Sequence, residues 1–115
     1  MIEVTATVWT RCMMSATMTA WGEVVLQCPA AGVTVLLTAG AVEEMARRVS
    51  SRTDGEVADI AGNPVLVRCL RGAVELVFGH AKVRVDKEGV PGLVDMLMKA
   101  SAPQRARGER RGHRG

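Results

Sequence analysis

At 115 residues the chain suffices for one domain that buries about two-thirds of its unfolded surface without covalent staples. Apolar residues make up 48% of it, yet its uninterrupted apolar runs fall far short of the ~20 residues of a membrane span; three scattered cysteines, Cys12, Cys28 and Cys69, argue against a disulfide framework and form no CxxC pair. The formal charge of +3 is unevenly placed: residues 1–101 hold ten Lys/Arg and eleven Asp/Glu, whereas 102–115 hold Arg105, Arg107, Arg110, Arg111 and Arg114 against Glu109 alone.

Residues 1–10 alternate cleanly, with Ile2, Val4, Ala6 and Val8 on one side and Glu3, Thr5, Thr7 and Trp9 on the other, the pattern of a half-buried strand. No signal-peptide layout precedes it, so a soluble cytoplasmic protein is expected. Residues 11–14 read as a turn. The alternation then resumes over 15–28, with Ala16, Met18, Val24, Leu26 and Cys28 in phase. That length predicts one long strand bent or bulged at Trp21-Gly22. Residues 29–32, which begin with Pro29 and end with Gly32, form a loop, and 33–37 return antiparallel.

Thr38 suits the N-cap of a helix over 39–51, whose apolar stripe is Val42, Met45, Ala46 and Val49. Glu43 and Glu44 early and Arg47 and Arg48 late follow the order the helix dipole favours. Residues 56–60 are expected to form a short edge strand, and 61–64 a turn. A second helix starts near Pro91, faces the core with Leu93, Met96, Leu97 and Ala100, and stops at Pro103.

Between them lies the stretch that predicts a register as well as strands. Arg71-Gly72 separates residues 65–70 from 73–78, and Gly79-His80 separates 73–78 from 81–86. A second-position Gly suits a type I′ hairpin turn and a first-position Gly a type II′ turn. Arg68 then opposes Glu75, Val67 opposes Leu76 and Leu66 opposes Val77, while Glu75 in turn opposes Arg84. Val65, Val67, Cys69, Val74, Leu76, Phe78, Ala81, Val83 and Val85 share the core face. Arg68, Glu75 and Arg84 form an exposed row of alternating charge on the other.

Residues 1–52 and 56–101 thus repeat one plan, and the expected fold is α+β: two strand-strand-strand-helix units with an antiparallel sheet, both helices on one face, and a disordered basic tail from 102. This plan is similar in outline to the Whirly and PUR-repeat single-strand-binding folds, which place helices on one side of antiparallel sheets. No motif of those families is matched here, the units have fewer than their usual four strands, and no binding residue is carried over.

Catalysis is not expected. There is no Gly-rich phosphate loop, no Ser/His/Asp arrangement and no close carboxylate pair on a strand. Cys12, Cys28, Cys69 and His80 match no zinc spacing, and Cys28 and Cys69 fall in phase with core valines, so neither metal nor cofactor is expected. The informative surface is the second sheet face. Trp9 and Trp21 are read onto it in the first unit, and Arg68, Lys82 and Arg84 beside Leu66, Leu70 and Val77 in the second. Cations beside indoles suit stacking on single-stranded nucleic acid, whereas the apolar residues, with Trp9, Trp21, Leu66 and Val77 central, suit a subunit contact.

The Arg-dense tail supplies phosphate contacts of its own. The leading expectation is a non-enzymatic, nucleic-acid-associated accessory protein of a phage or mobile element, which holds DNA or RNA through Arg105, Arg107, Arg110, Arg111 and Arg114, aided by Arg68, Lys82 and Arg84. The alternative is a homo-oligomeric or partner-docking protein whose second sheet face is the interface. No membrane partner is expected in either case.

Overall fold

Among the described residues, alternating apolar positions, a capped first helix and glycine turns build eight strands and two helices. The computed structural model describes residues 2–6, 11–79 and 81–101. In chain order these are β1 (Ile2–Ala6), β2 (Arg11–Met18), β3 (Glu23–Cys28), β4 (Val33–Thr38), α1 (Ala39–Ser51), β5 (Gly55–Ala58), β6 (Pro64–Leu70), β7 (Ala73–Phe78), β8 (Ala81–Asp86) and α2 (Val90–Ser101). Single 3-10 turns, Pro29–Ala31 and Lys87–Gly89, precede β4 and α2. All neighbours are antiparallel, in the order β4-β3-β2-β1-β8-β7-β6-β5.

The meander β6–β7–β8 has the register its turns dictate: Val67 pairs with Leu76 and Arg68 with Glu75, and across the next turn Leu76 pairs with Val83 and Glu75 with Arg84. The first turn differs in type. Gly72 has φ 77° but Arg71 stays out of the left-handed region, so positive φ occurs only at the second position, as in type II, and not at both as type I′ requires. Gly79, with φ 63°, fits the first position of type II′.

The first unit departs from expectation twice. Residues 11–14 are the start of β2 and not a turn, and the long strand over 15–28 is two strands joined at Thr19–Gly22. Thr19 explains the break: its Oγ1 accepts from the N–H groups of Trp21 and Glu23, each at 3.3 Å, and its own N–H donates to Glu23 O at 2.6 Å. Gly22 supplies the left-handed residue with φ 82°. Each unit therefore has four strands and one helix, where three strands were expected. The α+β class, the antiparallel sheet and the two helices on one face are as expected.

Both helices lie on the face carried by Val24, Leu26, Leu37, Val67, Leu76 and Val83, all at most 1% exposed. From α1 come Val42, Met45, Ala46 and Val49, and from α2 Leu93, Met96, Leu97 and Ala100, the stripes their spacing predicts. Thr38 caps α1 through Oγ1, which accepts from Ala41 N–H at 3.1 Å, and Arg52, with φ 54°, closes it. No helix among the described residues is long and apolar enough to cross a membrane.

The sheet also turns a corner. β2 pairs with β1 over Arg11–Thr5 to Met14–Ile2 and with β3 over Ser15–Gln27 to Met18–Val24, so it changes partner halfway along. The two edges then approach each other: Ile60, just beyond the edge strand β5, donates its N–H to Leu36 O of β4 at 3.0 Å. Residues 56–60 were expected to be strand throughout, but β5 ends at Ala58, and Ile60 serves this cross-edge contact.

Candidate functional site

The face opposite the helices carries every described candidate except Trp21. Across β6, β7 and β8 it has three rows: Leu66–Val77–Lys82, Arg68–Glu75–Arg84 and Leu70–Ala73–Asp86. The first row is half-buried at Leu66 and Val77 and exposed at Lys82. In the first unit the same face presents Met13, Val25 and Leu36, with Val25 and Leu36 as cross-strand partners and Leu36 38% exposed. Neither helix covers these apolar side chains.

The middle row corrects the sequence reading. Glu75 is not an exposed partner: it is buried, at 8% exposure, on the central strand of the meander. Its Oε1 lies 3.8 Å from Arg68 Nη1 and its Oε2 3.9 Å from Arg84 Nη2. Those separations are ion pairs and not hydrogen bonds. Long guanidinium side chains on both flanks shield the carboxylate from water, as amphipathic stems commonly do. One carboxylate thus partly offsets two cations, which leaves the row less attractive to phosphate than the two arginines alone would be.

Trp21 is also misplaced by the alternation. It sits at the tip of the Thr19–Gly22 turn and not on the sheet face, and it is 85% exposed, so it packs against almost nothing in its own chain. Trp9, His80 and the tail arginines Arg105, Arg107, Arg110, Arg111 and Arg114 lie outside the described residues.

A cleft that the sequence does not announce opens where the sheet edges meet. It measures about 350 Å³ and is lined mainly by Val35 of β4, Pro64 and Leu66 of β6 and Val77 and Phe78 of β7, with Asp59 at its polar rim. Asp59 is occupied there: its Oδ1 accepts from Asn63 N–H at 2.8 Å and its Oδ2 from Asn63 Nδ2 at 3.3 Å. The lining is therefore apolar, with its nearest carboxylate already bonded. Val35 meets β6 and β7 where Ile60 bonds Leu36, a non-local contact that no local pattern encodes.

Of the two described thiols, Cys28 is buried in the core and Cys69 is half-buried. Burial pushes the Cys69 thiol up, and the Asp54 carboxylate beside it pushes it further; Asp54 Oδ1 also accepts the Cys69 backbone N–H at 2.7 Å. The thiolate is the reactive form, so Cys69 should alkylate with iodoacetamide more slowly than a free thiol at pH 8. Asp54→Asn should speed the reaction, and an unchanged rate would show that the carboxylate does not act on the sulfur. Among the described residues no group of three His, Cys, Asp or Glu is placed to hold a metal ion. Comparison with known proteins finds no matching family model, no similar curated protein and no similar solved structure.

Proposed function

We propose that the chain is a non-enzymatic binding module that docks a second copy of itself through the sheet face opposite the helices. The observation that carries this reading is the uncovered apolar set on that face, the Leu66–Val77 pair together with Met13, Val25 and Leu36. An antiparallel sheet tolerates water on one face when that face is polar; here apolar residues alternate with Thr17, Thr34 and the Arg68–Glu75–Arg84 row. Apolar side chains rimmed by polar ones are the composition of a subunit contact.

A nucleic-acid-associated role, as in an accessory protein of a phage or mobile element, is favoured by a different observation. Five arginines crowd residues 102–115, and Arg68 and Lys82 are exposed on the sheet face. Light scattering of the full chain, with and without a mixed pool of duplex DNA, single-stranded DNA and RNA, separates the two readings. Docking through the sheet predicts a concentration-dependent mass above that of a monomer with no nucleic acid present. The nucleic-acid reading predicts salt-sensitive binding whose log–log slope, about −0.9 per neutralised phosphate on duplex DNA, falls by up to about four units on truncation after Ser101. Absence of binding at low ionic strength ends that second reading.

A further inference from the structure

We propose that Trp21 of one copy inserts into the apolar cleft of a second copy, and that the cleft takes the indole back in exchange, so that a two-fold pair makes the contact twice. The inference rests on the docking reading above and names the residue that anchors it. Trp21 is the most exposed large apolar side chain among the described residues, at 85%, and it is held at a turn tip by the two hydrogen bonds to Thr19 Oγ1, which make the turn a rigid platform. Its exposure means that it does not enter the cleft of its own molecule.

The cleft fits such an occupant in size and chemistry. A volume of about 350 Å³ lies at the small end of ligand pockets and has room for a bicyclic ring. Its walls, Val35, Pro64, Leu66, Val77 and Phe78, are apolar, with one aromatic to pack against the indole. The one carboxylate in the lining, Asp59, is already bonded to Asn63, so the cleft meets the incoming ring with apolar walls.

Knob and cleft are different patches, and two-fold symmetry brings each to its complement. Two inserted indoles bury about 150–250 Å² each, short of the ~1,200 Å² of a stable interface. The rest must come from the Leu66–Val77 face, which adjoins the cleft and shares both residues with it.

Sedimentation velocity of the full chain over a concentration series tests the proposal. Trp21→Ala should raise the dimer dissociation constant by about tenfold or more, as loss of an aromatic anchor does, and leave the melting temperature unchanged at concentrations where the wild type is monomeric, because the side chain packs against almost nothing in its own chain. Trp21→Phe should recover part of the affinity. In a Trp9→Phe background Trp21 is the single tryptophan of the chain, and its emission should move to shorter wavelength as dimer forms. If Trp21→Ala dimerises like the wild type while Leu66→Lys/Val77→Lys does not, the insertion is wrong and the docking face stands. A wild-type chain that stays monomeric throughout overturns both, and Trp21 emission that ignores concentration while dimer forms overturns the insertion.

Discussion

Leu76→Ala is expected to cost about 2–5 kcal/mol of stability, the range for a buried leucine whose site cannot collapse around the loss. Leu76 is fully buried at the centre of β7, with Val67 and Val83 as its cross-strand partners and the helix stripes closing over it. Truncation removes one methine and two methyl carbons from a place where sheet neighbours are held by backbone hydrogen bonds and cannot move in. Urea denaturation of the variant measures the loss. Met98→Ala on the outer side of α2, where the side chain is 45% exposed, is the control and should lie within about 0.5 kcal/mol of the wild type. Equal losses at the two positions would mean that the core face is wrongly assigned.

Glu75→Ala should also destabilise the fold, at about 1–3 kcal/mol, the largest loss expected from removing a charged side chain of the sheet. Removing the carboxylate takes away the ion-pair partner that Arg68 and Arg84 share across β7. The loss stays below that of a fully buried pair because water screens both partners: the side chain of Arg68 is 53% exposed and that of Arg84 35%. A double-mutant cycle between Glu75 and Arg84 isolates their coupling, which should exceed that between Glu75 and the more exposed Arg68. A neutral Glu75→Ala would mean that the carboxylate is solvated and the ion pairs contribute nothing.

The second unit is more legible in the sequence than the first, and turn chemistry is the reason. Two-residue turns at Arg71-Gly72 and Gly79-His80 leave no slack, so every pair from Leu70–Ala73 to Phe78–Ala81 follows from counting outward. In the first unit the turn Thr19–Gly22 has four residues, an even number, so the alternation of Ala16 and Met18 runs in phase into Val24 and Leu26 whether the chain reverses or continues. Parity assigned the right residues to the core and was blind to the reversal; Thr19 and Gly22 held the missing signal. The same parity placed Trp21 on a sheet face when it belongs to a turn tip.

The burial of Glu75 was illegible for another reason. A charge opposite two cations reads as a solvated row, and only the central position of β7 together with the reach of both arginine side chains takes it out of water. Of the candidate site, the grouping of Leu66 with Val77 followed from register alone. The cleft beside them did not, because it depends on Ile60 meeting Leu36 across the two ends of the sheet order.

The docking face is tested most directly by placing charge at its centre. Leu66→Lys/Val77→Lys should leave the far-ultraviolet circular dichroism of the chain unchanged and convert a concentration-dependent oligomer into a monomer in sedimentation equilibrium, since two buried ammonium groups per copy cannot be paired across a symmetric contact. An oligomer that survives the double substitution with its affinity intact would contradict the account.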